Sequence, residues 1–209
     1  VKNPMVYRLH PASGARKAWP IETEIGSIGF GPPGKLIAGL RTGFALIDLA
    51  SGSHEIIADP EGKGRLNPVR LNDGKVDPAG RYWCGGMQDP GMQPVCTLYR
   101  LDTDRSVHAI EKGIRISNGL AWTPDGRTMF FCDSLTRQMR IFDYDPGTGD
   151  RANGRVFFRT SEAARAHRAI EHINVTPSGS WPSVGAGLGA ISADGRYVAF
   201  YSDATDLLP

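Results

Sequence analysis

Residues 77–86 read DPAGRYWCGG and residues 123–132 read TPDGRTMFFC, and the spacing between them decides the fold. Each joins a Pro-x-Gly turn to a basic residue and then to an apolar stretch. Two further segments are alike, GPPGKLIAGL at 31–40 and SADGRYVAFY at 192–201, the last with Ala-Asp-Gly in place of Pro-x-Gly. Their turn glycines are Gly34, Gly80, Gly126 and Gly195, at intervals of 46, 46 and 69 residues. Two equal intervals mark a structural unit, and the third marks a break in the pattern.

A second element accompanies these turns. It reads VYRLHPASG at 6–14, FALIDLASG at 44–52, LYRLDTDRS at 98–106 and RIFDYDPGTG at 140–149. Each is an apolar stretch with a period nearer two than 3.6, ending in Asp, Ser or Gly. Asp and Ser bond their own nearby backbone and Gly accepts positive φ, so these endings reverse the chain. A unit of 40–50 residues holding several short strands is that of a β-propeller blade. A β-sandwich is the alternative, but it needs no equal units. The expected fold is therefore all-β, a propeller of about three to four blades.

Composition narrows the function. The chain has 209 residues, with 24 basic against 22 acidic groups. That balance is not that of a basic nucleic-acid binder or an acidic tail protein, and no nucleic-acid partner is expected. The longest apolar runs are far too short to cross a bilayer, so no membrane partner is expected. The chain starts at Val1 with no basic-then-apolar leader, and the true N-terminus is expected upstream. The 26 Gly and 15 Pro are about one residue in five, more than a helical bundle carries. Cys84, Cys96 and Cys132 show no CxxC spacing; they read as reduced, buried small hydrophobes in a cytoplasmic setting. There is no P-loop, G-x-S-x-G or G-x-G-x-x-G motif.

The pattern changes after about residue 160. Residues 1–160 read as propeller blades and 161–209 as a divergent tail. SEAARAHRAIEH at 161–172 is expected as a short helix with Ser161 as N-cap. TPSGSWPSVGAGLG at 176–189 is expected as a flexible stretch. His167 and His172 are five apart, so on a helix they do not share a face, and zinc binding is not expected there.

Two strings go beyond generic β pattern: RLNDGKVDPAGRYWCGGM at 70–87 and ISNGLAWTPDGRTMFFCDSLTRQMRIFDYDPGTG at 116–149. They resemble the SMP-30/gluconolactonase, or regucalcin-like, family over residues 1–158. The resemblance implies a six-bladed propeller that binds one divalent cation (Ca, Zn, Mn or Mg) on its axis and hydrolyses sugar lactones to aldonic acids. By the same resemblance Asn118 falls on a metal ligand, and Arg70 and Asn72 on substrate contacts. The family's other two ligands, a Glu in an N-terminal E-G-P-x-W segment and an Asp in a later P-D-G segment, have no match here. The missing carboxylates would come from elsewhere, such as Glu171 or a second chain. The other reading is an inactive propeller fragment or fusion acting as a binding module. The tail ISADGRYVAFYSDATDLLP at 191–209 is similar to the repeat strands of TolB-like propellers.

Bland readings stand beside these. Asn72 and Asn118 are types common in tight turns, Arg70 reads equally as a surface charge, and Asp73, Asp77, Asp125 and Asp194 read as turn formers. Asp133 reads as capping a strand end or as facing the axis, and the structural reading is preferred. Trp83, Trp122, Tyr82, Phe130 and Phe131 read as core. Six units of 46 residues need about 276 residues, so the ring is expected to stay open, with edge strands available for self-association.

Overall fold

The computed structural model describes residues 4–62, 68–159, 186–191 and 198–202. They form sixteen strands in four antiparallel sheets of four. Sheet II holds β3 (Ile25–Phe30), β4 (Lys35–Leu40), β5 (Gly43–Asp48) and β6 (His54–Ala58) in chain order. Sheet III holds β7 (Val69–Val76), β8 (Tyr82–Gln88), β9 (Cys96–Leu101) and β10 (Val107–Ile114). Sheet IV holds β11 (Ser117–Trp122), β12 (Thr128–Asp133), β13 (Gln138–Tyr144) and β14 (Arg151–Arg159). Sheet I is made from both ends of the chain, in the order β15 (Ala186–Ile191), β16 (Val198–Ser202), β1 (Met5–Leu9), β2 (Arg16–Pro20). This is the all-β propeller arrangement read from the repeats.

The turn glycines explain the repeat. Gly34, Gly80 and Gly126 have φ of +79°, +89° and +69°, and each lies in the turn between the first and second strands of its sheet. The second recurring element supplies the third strands β1, β5, β9 and β13. Head and tail join by β-pairing, with Met5 opposite Ser202 and Leu9 opposite Val198. Residues 186–189, expected as part of a flexible stretch, instead form β15, paired with β16. The helix expected at 161–172, with Glu171, His167 and His172, lies outside the described residues.

The middle strands of sheets II and III are buried on both faces, because successive side chains point to opposite sides and a neighbouring sheet covers each side. Leu36, Ala38, Ala45 and Ile47 join Val6 and Trp19 between sheets I and II. Ile37, Phe44 and Leu46 meet Tyr82, Cys84 and Tyr99 between II and III. Trp83 and Leu98 meet Met129, Phe131 and Phe142 between III and IV. Polar struts tie sheets III and IV together. Arg100 Nη1 donates to Gly149 O at 2.6 Å, and the Tyr144 hydroxyl donates to the buried Asp77 carboxylate. Asp77 also accepts the Ala79 and Arg81 amides at 2.9 Å, so it closes its turn as well.

The first strands lie side by side, β15 beside β3, β3 beside β7 and β7 beside β11. The approach of β3 to β7 needs Gly26, where a Cβ would lie 2.6 Å from Asn72 O.

Candidate functional site

Arg70, Asn72 and Asn118 come together at the end of the first strands opposite the glycine turns. Arg70 and Asn72 lie in the first half of β7, and Asn118 is the second residue of β11. Arg70 Nη1 donates to Asn72 Oδ1 at 3.2 Å. Asn72 Nδ2 donates to Ser117 O at 2.9 Å and to Asn118 Oδ1 at 3.3 Å. Asn118 Nδ2 donates to Ser134 Oγ at 2.7 Å. One row of hydrogen bonds thus runs from Arg70 to Ser134 across the seam between sheets III and IV.

The row is held from both sides. Ser27 Oγ of β3 donates to Asn72 O at 2.7 Å and lies 2.7 Å from the buried Tyr82 hydroxyl. Asp133 accepts the Arg115 and Ile116 amides at 3.0 and 3.1 Å, which fixes the entry to β11 and confirms its structural role. Arg70 Nε reaches Asp89 Oδ2 at 3.4 Å, and Arg41 reaches the same oxygen at 3.3 Å while pairing with Glu24 at 2.9 Å. Glu24, Arg41 and Asp89 therefore extend the polar row into sheet II. Nothing in the sequence pointed to them, because each pair is far apart in the chain.

Asp73 is not a turn former. It lies inside β7 and its Oδ2 accepts the Leu120 amide of β11 at 3.3 Å. Burial pushes its carboxyl up, while the amides of Leu120, Gly119 and Gly74 and the charge of Lys75 pull the other way. Its position inside the N-D-G-K string was the one signal in the sequence.

The donor set does not fit a divalent cation by itself. Ca²⁺ takes six to eight oxygens, usually with carboxylates among them. Here Asn118 offers one neutral oxygen already turned to Asn72, and Asp73 faces peptide amides. Among the described residues no three His, Cys, Asp or Glu side chains come together as a metal site. The apolar cavity of about 310 Å³ lined by Phe30, Ile37, Leu46, Tyr82 and Leu101 lies at the other end, beside the Gly80 turn. No helix among the described residues is long and apolar enough to cross a membrane.

With this geometry in place, known proteins give the setting. The sequence model of the SMP-30/Gluconolactonase/LRE-like region matches residues 1–198. An L-arabinolactonase of Azospirillum brasilense is 33% identical over 167 residues, 78% of this chain and 54% of that protein. The regucalcin of Gallus gallus is 35% identical over 159 residues, 74% of this chain and 52% of that protein. A luciferin-regenerating enzyme superposes with a TM-score of 0.67 at 27% identity, covering 92% of this chain and 60% of that one. A calcium-binding regucalcin of Agrobacterium tumefaciens superposes with a TM-score of 0.68 at 22% identity, covering 91% of this chain and 58% of that one. The chain spans about half the length of the curated relatives it matches.

Proposed function

Because the chain belongs to the SMP-30/gluconolactonase/LRE-like family, we propose that it acts on sugar lactones, with Arg70, Asn72 and Asn118 as the lactone-binding row. The observation that carries this is the hydrogen-bonded row itself. Asn72 and Asn118 are 46 residues apart, and their side-chain amides meet at 3.3 Å.

The chemistry matches these groups. Hydrolysis adds water to the lactone carbonyl, breaks the ring C–O bond and leaves the open aldonic acid. Negative charge gathers on the carbonyl oxygen as water adds, and fixed donors nearby stabilise it. Arg70 supplies a planar, always charged fork that suits that oxygen and the product carboxylate. The asparagine amides offer donors and acceptors for sugar hydroxyls. A divalent cation enters this reading only with carboxylates from outside the described residues, and no step here depends on one.

The incomplete donor set favours a second reading, a binding module that holds a lactone or aldonate without turnover. One experiment separates the two. Proton release from glucono-δ-lactone and arabinono-lactone is followed at constant pH, with the purified chain alone and with millimolar Ca²⁺, Mn²⁺, Zn²⁺ or Mg²⁺. Catalysis that Arg70→Ala abolishes supports the lactonase. Calorimetric binding without proton release supports the module, and neither signal overturns both.

A further inference from the structure

The two strands that carry the site are both irregular at the site. The pairing of β7 with β8 slips between Leu71 and Gly74, and that of β11 with β12 slips between Asn118 and Ala121. Asn72 and Asp73 occupy the first irregularity, and Gly119 and Leu120 the second. Gly119 has φ of +67°, a left-handed conformation that glycine takes without the steric cost of a Cβ. A bulge leaves amides out of the strand ladder, and a buried amide without an acceptor is costly.

The two irregularities interlock. Asn72 holds β11 just before and at Asn118, through Ser117 O and Asn118 Oδ1. Asp73 holds it two residues later, through the Leu120 amide. Neighbouring residues on a regular strand point to opposite faces. Here the bulge turns both toward the same partner strand, on either side of Asn118. We infer that Asp73 is a positioning residue: its carboxylate accepts the amide freed by the β11 bulge and so sets the direction in which Asn118 presents its side chain. This deepens the lactone-binding reading and rests on it for its consequence in turnover. Asp73 itself is not placed against substrate, because its Oδ2 is turned to the Leu120 amide.

The variant Asp73→Asn keeps the size of the side chain, removes its charge and leaves one acceptor oxygen where the carboxylate has two. Nitrogen–proton NMR of the uniformly labelled chain reads the consequence without any turnover. The expected result is that Asp73→Asn moves the Asn118 side-chain amide pair and the Leu120 backbone amide while the rest of the spectrum stays that of the folded chain. A folded variant in which both signals stay in place overturns the inference. Should Asp73→Asn fail to fold, amide exchange in the wild type decides. Exchange of Leu120 as slow as that of the ladder amides Phe130 and Phe131 supports a buried acceptor, and exchange at the rate of an exposed loop overturns it. Where lactone turnover is present, misplacing Asn118 in the binding row lowers kcat/KM by up to about 100-fold, and Asp73→Asn adds no further loss on an Asn118→Ala background. Equal losses on both backgrounds overturn action through Asn118. Absence of turnover in the wild type sinks the lactonase reading and leaves the NMR result to judge Asp73.

Discussion

Asn72 Nδ2 lies 3.3 Å from Asn118 Oδ1, and the same nitrogen lies 2.9 Å from Ser117 O. One amide group therefore bonds both a side chain of the site and the backbone that carries it. The two asparagines should differ when removed. Asn72→Ala leaves the carbonyl of the fully buried Ser117 without its partner, which costs about 1–3 kcal/mol. Asn118→Ala frees mainly the exposed Ser134 hydroxyl, so its cost in stability should be smaller. Urea midpoints of the two variants and the double variant test this. The double variant should be less destabilised than the two single losses added, because the pair is in contact.

Gly26 is the position at which the site depends on close approach of two strands. A methyl group there would press on Leu71 O and lie 2.6 Å from Asn72 O and 2.8 Å from Asn72 Cα, all backbone atoms that cannot rotate away. Gly26→Ala should push β3 from β7, break the 2.7 Å bond from Ser27 to Asn72 O and cost about 3 kcal/mol. The checks are the melting temperature and the exchange rate of amides along β7. Unchanged values for both would mean that β3 yields without moving the site.

The propeller was legible because its signals are local. Glycines 46 residues apart took positive φ in three equivalent turns, and the strand endings stopped where Asp, Ser and Gly stood. The segment FALID is apolar at four successive positions for a physical reason: Phe44 and Leu46 pack toward sheet III while Ala45 and Ile47 pack toward sheet I. Arg70, Asn72 and Asn118 were legible through long strings of sequence. Asp73 was misread because Asn-Asp-Gly is turn chemistry wherever no partner strand is considered. The bulge and the facing amides of β11 keep it in a strand, and neither is visible in one segment alone. The joining of β16 to β1 was hidden for the same reason, since a pairing across nearly the whole chain leaves no local mark.

The thiols give the protein an alkaline weakness. Burial pushes Cys84 up to about 12 and Cys96 up to about 11, from 9.0 for a free thiol. The folded state keeps these protons over a range in which the unfolded chain has lost them. Raising the pH therefore draws the equilibrium toward unfolding. The contribution of these thiols to stability should be level below pH 9 and fall progressively toward pH 12. Urea midpoints between pH 7 and pH 11 test the fall, and Cys96→Ala should flatten it. In native protein at pH 8 both thiols should react with a disulfide reagent far more slowly than in urea. Rapid native reaction would show that they are not shielded.

At the acid end Glu111 on β10 contributes. Burial alone would raise its carboxyl, but Arg140 at 2.6 Å and Arg151, which bonds its other oxygen, hold it below the usual 4.5. Arg151 in turn lies over the Phe142 ring at 4.2 Å, so the carboxylate keeps a buried guanidinium in place between sheets III and IV. Because the folded carboxyl is the stronger acid, its contribution is complete above the unfolded value near 4.5 and disappears as pH falls through the folded one. Glu111→Gln should cost about 1–3 kcal/mol at pH 7, where it replaces a charged acceptor of two arginines by a neutral amide. The gap between wild type and variant should then narrow below pH 4.5, as the wild-type side chain becomes neutral too. Urea midpoints of both proteins at pH 7, 5 and 3 measure that gap directly. A gap of constant size across all three would show that the effect does not come from the charge, since only the charge depends on pH.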